Sequence, residues 1–345
     1  MPSDRLSLSP IPLWRRLRTG WSLMRNFAYD FRRFRRACFI DGPHERENLR
    51  AQIHILAHML EYGMALSDPR AGFGMDKVRL LHAQTALYLD LYGADASTAT
   101  ATAVLAAYAA FNEARGADAA EAGRLLAGLR RRAGDGTLPE GGSETVSAAD
   151  IRAKAAIDFA AFMQARHSVR QYDPSRPVEI DRVERAVRAA QQSPSSCNRQ
   201  TVRALAFTER ASIARILALH DGNRGFGDQL GGLMVVTVDL RHWNSVGERN
   251  QGWVDGGLFA MSLALGLHAE GFGTCMLNWS ADRGRDRAMR ALLGLDDTQI
   301  VITLIGFGHM RDRFAVPVSR RKPLDVVFSH EPPLAPPAEA AAAGR

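Results

Sequence analysis

Apolar positions recur at intervals of three and four through the first third of the chain, the period of helices buried on one side. Within residues 11–38 the stripe is Trp14, Leu17, Trp21, Met24, Ala28 and Phe31, with arginines over much of the remaining surface, so a basic amphipathic helix is predicted there. The same period predicts helices over 46–66, 75–93, 97–114 and about 117–132, the first of them burying Leu49, Ile53, Leu56, Leu60 and Met64. Asp68 to Gly74, with a proline and two glycines, separates the first two as a turn. Gly134 to Ser143 is rich in glycine and contains Pro139, which makes it the best linker in the chain. The expected division is a basic helix over 1–40, a helical accessory domain over 41–133 and a linker over 134–146.

From residue 147 the pattern changes. Ser147 followed three positions later by Asp150 is a helix start, and that helix is expected to run to about Ala165. Helices over about 180–192, 210–219, 253–269 and 285–293 then alternate with strands over 203–208, 233–239, 273–277 and 300–306, which predicts a sheet covered by helices on both faces. The helix from Trp253 carries Leu258, Phe259, Met261, Leu263, Leu265 and Leu267 on more than one face and is read as buried on every side. The mixed domain is expected over 147–330 and a disordered proline-alanine tail over 331–345.

Composition narrows the class. A chain of 345 residues with 46% hydrophobic content can bury one large core or two modest ones. Cys38, Cys197 and Cys275 are far apart and form no Cys-x-x-Cys pair, so neither a disulfide framework nor a zinc site is expected, and a cytoplasmic location is. The basic start is not followed by an uninterrupted apolar run and cleavage site, and the longest apolar stretch, Gly256 to Ala269, is shorter than the roughly 18–20 residues a bilayer requires. The net charge of +7 lies wholly in residues 1–36, which hold nine arginines against Asp4 and Asp30. The balanced remainder has no arginine-rich face, and no nucleic-acid partner is expected. For the basic helix, packing of the aromatic stripe on its own domain or on a partner subunit is preferred to adsorption on an anionic membrane surface, because packing is the usual fate of such a stripe.

Four short segments carry candidate chemistry. Arg166-His167-Ser168-Val169-Arg170 presents alternate side chains on one face if extended, and guanidinium forks suit phosphate. Pro194-Ser195-Ser196-Cys197-Asn198-Arg199-Gln200 is a turn of small hydrogen-bonding side chains, Gly271 to Cys275 leads into Met276-Leu277-Asn278-Trp279, and Arg320-Arg321-Lys322-Pro323-Leu324 is basic. In this order and spacing the segments resemble the nitroreductase family of FMN-dependent oxidoreductases over roughly residues 160–330. The resemblance implies an α+β, nitroreductase-like FMN-binding fold acting as a homodimer behind the helical accessory domain. It also implies ping-pong hydride transfer from NAD(P)H through flavin N5 to a small acceptor. Such a cofactor needs positive charge at two separated places, for its phosphate and for the reduced ring near N1 and C2.

By resemblance, Arg166, Ser168, Arg320 and Arg321 hold the phosphate and His167 lies near the ribityl and phosphate end. Arg170 stands beside the pyrimidine edge. Pro194, Ser195, Ser196 and Asn198 belong to a loop that reaches the partner's flavin, Met276 to Trp279 pass along the ring with the Asn278 or Trp279 N–H toward N5, and Asn223 is a candidate ring-edge contact. Thr201 and Val202 depart from the proline and aromatic residue common after the glutamine. Cys197 is read as a small half-buried filler. No side chain is assigned as a catalytic acid or base.

His54, His58 and Glu61 share one helix face at a spacing that suits a divalent metal, but three ligands from one helix seldom suffice, and a structural role is preferred. His58 to Gly63 and Arg70 to Gly74 also resemble the front domain of nitroreductase-like proteins associated with polysaccharide synthesis, which extends the acceptors considered from nitro or quinone-like compounds to a polysaccharide-pathway substrate. The alternatives are a membrane-associated flavin-binding or scaffold protein without turnover, and a relative that rearranges its flavin or substrate.

Overall fold

The computed structural model describes residues 12–134 and 138–332; the first eleven residues, part of the predicted linker and nearly all of the predicted tail lie outside the described residues. Helix α1 spans Leu13–Ala37. Four helices follow, α2 (Arg46–Met64), α3 (Met75–Tyr92), α4 (Ala96–Glu113) and α5 (Ala120–Ala133), close to their predicted bounds. Their apolar stripes meet in one core built on Leu49, Ile53, Leu60, Leu81, Tyr88, Val104, Leu105, Tyr108 and Leu129. Asp95 starts α4 as a capping box, accepting from the Ser97 and Thr98 amides while the Thr98 hydroxyl accepts from the Asp95 amide. Within the predicted linker, Gly141 and Gly142 lie so close to α4 that a Cβ would sit 2.9 Å from Ala103 and 2.6 Å from Ala107.

The single helix expected from Ser147 to Ala165 is two: α6 (Ala148–Lys154) and α7 (Phe159–Ala165). Ser147 caps the first as predicted, and Asp158 caps the second by accepting from the Ala161 amide. Neither buries a residue, so no packed face holds a continuous helix through Ala156 and Ile157 against that second start signal.

Helices α8 (Ile180–Ala190), α9 (Arg210–Leu217), α10 (Gln251–Ala269) and α11 (Arg283–Leu293) alternate with β1 (Val202–Phe207), β2 (Gly232–Asp239), β3 (Gly273–Asn278) and β4 (Gln299–Gly308). The strands form one sheet in the order β1-β2-β4-β3 with every pairing antiparallel, and a single parallel bridge, Ser168 to Thr274, adds the chain after α7 to its β3 edge. Alternation sorts the side chains. Met234, Val236 and Ile305 pack on α8 and α10, whereas Leu233, Val235 and Leu304 pack on α9 and α11. A last turn, α12 (Leu324–Val327), lies in an exposed carboxy-terminal run.

Two expectations change. Helix α10 is not enclosed on every side within one chain: Gly252, Gly256, Phe259, Leu263 and Leu267 face the sheet, while Trp253, Val254, Leu258 and Met261 are 36–52% exposed. Gly256 explains the close approach of the inner face, since a Cβ there would stand 2.6 Å from Ile302. Nor does the aromatic stripe of α1 pack on its own domain. Trp14, Leu17, Trp21, Met24 and Phe31 are all more than half exposed, because the helix is fastened by its polar side.

Candidate functional site

The chain leaves α7 in extended conformation at Arg166 and runs beside β3, where the Val169 amide donates to the Thr274 carbonyl at 2.9 Å. Gly273 permits this docking, since a Cβ on it would lie 3.0 Å from Val169 and 2.7 Å from Met310. Val169 is buried and the Tyr172 hydroxyl donates to its carbonyl at 2.7 Å, so the segment between them is fixed at both ends. The charged side chains are left on the outer side.

There they meet the chain's carboxy-terminal run. Arg166, His167, Ser168 and Arg170 form one wall of a cavity of about 720 Å³, and Val316, Pro317, Val318, Ser319, Arg320 and Arg321 form the other. Met163, Gln164 and Met261 complete it. No carboxylate lines the cavity, and none of its four arginines is in an ion pair among the described residues. The buried Arg166 Nε has no hydrogen-bond partner, Arg170 and Arg321 donate only to the Ser168 and Ser319 carbonyls, at 3.3 and 3.2 Å, and the Arg170 guanidinium also lies 6.0 Å from the Phe226 ring. Uncompensated guanidinium groups around a void of this size suit an anionic ligand. Beneath them, burial pushes the Cys275 thiol up, although Arg170 and Arg166 oppose it, so it is a protonated filler. Burial lowers His268, and Arg166 adds to the effect; its ring lies 4.8 Å from that of Phe162.

The remaining sequence candidates fall in three other places. Met276, Leu277 and Asn278 follow Thr274 along β3, and the Trp279 indole donates to Asp286 at 3.3 Å. Asn223 lies in a separate groove, with its amide nitrogen donating to the Leu217 and His220 carbonyls at 2.8 Å each. His220 ties that loop to the end of β3. Its Nδ1 accepts from the Gly222 amide at 2.9 Å, so its Nε2 carries the proton donated to the Asn278 carbonyl, also at 2.9 Å.

Pro194 and Ser195 line a small cavity with Asp255 and Phe259 and take no part in the arginine cavity. The turn over Ser196–Asn198 holds Cys197 and Asn198 at φ 50°, with Gln200 at 51°, an arrangement that persists only where surroundings enforce it. Buried Asp255 accepts from the Ser196 amide at 3.1 Å, the Ser195 hydroxyl accepts from the Gln200 amide at 3.1 Å, and Arg199 binds Glu248 at 2.6 Å. Cys197 is half-buried against Phe39, Ala51 and Ile55 of the front region. His54 is turned to Ser97 at 3.1 Å, and His58 lies 4.0 Å from Glu61.

The nitroreductase family model matches residues 163–221 and 220–309, from the start of the cavity wall to the end of the sheet. Residues 163–309 belong to the nitroreductase family. A search of curated proteins finds no match. Among solved structures, a protein named as an NADH dehydrogenase/NAD(P)H nitroreductase from Parabacteroides distasonis is 20% identical, with a TM-score of 0.44 over 51% of this chain and 99% of that one. A nitroreductase from Desulfovibrio desulfuricans in complex with FMN is 19% identical, with a TM-score of 0.44 over 50% and 98%. An FMN-dependent nitroreductase from Clostridium difficile is 20% identical, with a TM-score of 0.40 over 46% and 92%. The family match stops at His309, so the second wall of the nitroreductase domain's cavity lies beyond it. Sequence reasoning found Arg320 and Arg321 but missed Gln164 and Val316 to Val318, which carry neither a period nor a distinctive residue type.

Proposed function

We propose that the protein is an FMN-dependent NAD(P)H oxidoreductase whose nitroreductase domain passes hydride to a small acceptor in a ping-pong cycle. The observation that carries this reading is the cavity in which Arg166, Ser168 and Arg170 face Arg320 and Arg321, because two distant basic segments meet there around uncompensated positive charge. When bound, FMN supplies hydride acceptance and donation at N5. Arg166, Ser168, Arg320 and Arg321 hold the phosphate, with His167 at its ribityl side. Arg170 stands farther along, where its charge favours the reduced ring. The backbone at Asn278 and Trp279 orients the reacting edge.

A homodimer belongs to the same proposal. In one chain the Ser196 and Asn198 loop is not part of the arginine cavity, and α10 offers Trp253, Val254 and Leu258 as an uncovered apolar face. Pairing two chains through α10 would cover that face and bring each loop to the other chain's site. No helix among the described residues is long and apolar enough to cross a membrane, so the reading has no spanning segment.

Anaerobic mixing of the FMN-loaded protein with NADH and with NADPH tests the activity. Bleaching of the flavin band by one donor, followed by its return on adding a nitro compound or quinone, is the expected result. A bound flavin that neither donor reduces would refute the oxidoreductase reading.

A further inference from the structure

Helix α1 is docked with the wrong side outward for a soluble amphipathic helix. Asn26, Tyr29 and Arg33, one helical face, point at its own chain. Asn26 accepts from the Arg283 amide at 2.7 Å, the Tyr29 hydroxyl donates to Asp286 at 2.6 Å, and Arg33 donates to the Asp297 and Gln299 carbonyls and pairs with Asp286 at 3.2 Å. The opposite face carries Trp14, Leu17, Trp21, Met24, Phe27 and Phe31, between 54 and 67% exposed. An aromatic stripe held outward by specific polar anchors is placed for something outside the chain.

Charge identifies the occupant. The helix holds eight arginines and one acid, Asp30, the whole of the chain's +7. Arg33 and Arg35 are paired with Asp286 and Asp41, whereas Arg15, Arg16, Arg18, Arg25, Arg32 and Arg36 are in no ion pair among the described residues. A groove of about 590 Å³ follows one flank of the stripe, where Arg25, Arg32 and Arg36 of α1 face Arg283 and Arg287 of α11 beside Trp21 and Met24; the one carboxylate in its lining, Asp297, is paired with Arg290 at 2.7 Å. The outer face of α10 at Trp253, Val254, Leu258 and Met261, whose Trp253 shares a cavity with Phe27 and Phe31, carries no carboxylate of its own to meet these cations. Tryptophan and phenylalanine over an arginine flank match the boundary between acyl chains and anionic headgroups.

We propose that α1 lies in the plane of an anionic bilayer surface, with its aromatic stripe at the headgroup boundary and lipid phosphates in the arginine groove. The catalytic domain is thereby held at the membrane through one surface helix. The proposal stands apart from the flavin reading, since no residue of the arginine cavity takes part.

Co-sedimentation of the full chain with phosphatidylcholine vesicles, with and without phosphatidylglycerol, tests it. Binding only to the mixed vesicles is expected, weakening with salt as the Debye length falls from about 10 Å at 0.1 M to about 3 Å at 1 M. Arg25→Gln, Arg32→Gln and Arg36→Gln together should lower partitioning roughly a hundredfold, at about fivefold for each arginine. Trp14→Ser, Trp21→Ser and Phe31→Ser together should abolish binding with an unchanged circular dichroism spectrum, because all three side chains are exposed. A parent protein that ignores mixed vesicles, or binds neutral ones equally, overturns the proposal. So does a stripe variant that still binds mixed vesicles but loses self-association in sedimentation, which would make a second copy the occupant.

Discussion

His242 shows how the burial of one side chain makes stability depend on pH. It is buried beside the strand end at Asp239, with its Nδ1 unpartnered, and Asp239, His54, Arg199 and Arg241 are the charged and titratable groups around it. Burial lowers its pKa from 6.5 to about 4, against the opposing pull of Asp239. The folded protein therefore holds it neutral, and this contribution to stability is complete above about pH 6.5 and is lost as pH falls toward 4. At about 1.4 kcal/mol for each unit, it amounts to about 3 kcal/mol. Denaturation of a His242→Phe variant across that window should show a stability loss smaller than the parent's by about this amount, with the carboxylates common to both. Identical acid dependence in the two proteins would remove His242 from the account.

At the scale of elements, α10 carries the sharpest contrast between sequence and structure. Its composition marks it as apolar throughout, but composition does not say which apolar residues meet the protein's own sheet. Leu263, one of those apolar residues, is fully buried inside the chain against α8 and the sheet. Leu258, at 44% exposure, is on the outer face. Leu258→Arg is therefore expected to yield a folded protein with weakened dimerisation and weakened FMN binding together, read by size exclusion and flavin absorbance on one sample. A folded monomer with parental FMN affinity would show that Ser196 and Asn198 serve no second chain. The alternating helices and strands were legible because each has a period and end signals. The break at Ile157 was not, because it depends on α6 and α7 having nothing to pack against.

Over the whole molecule, a front of helices and a nitroreductase domain meet where α2 backs the strained turn at Cys197 and where Asn48 donates to the Arg241 carbonyl at 2.7 Å. The arginines and the serine that line the cavity were legible in the sequence as candidates because those residue types carry their chemistry with them. The apolar part of the wall from Val316 to Val318 was not, since only the path of the chain after β4 brings it to Arg166. The outward orientation of α1 was equally hidden, for a wheel of residues shows two faces and not which one is anchored. What holds the functional account together is the meeting of Arg166 with Arg321 across the cavity. Equilibrium titration of the apoprotein with FMN, for the parent, Arg166→Ala and Arg321→Ala, tests it most directly. Each loss of a charged hydrogen bond, about 1.5–3 kcal/mol, should weaken binding about tenfold or more. Parental affinity in both variants would contradict the assignment of this cavity to the flavin phosphate.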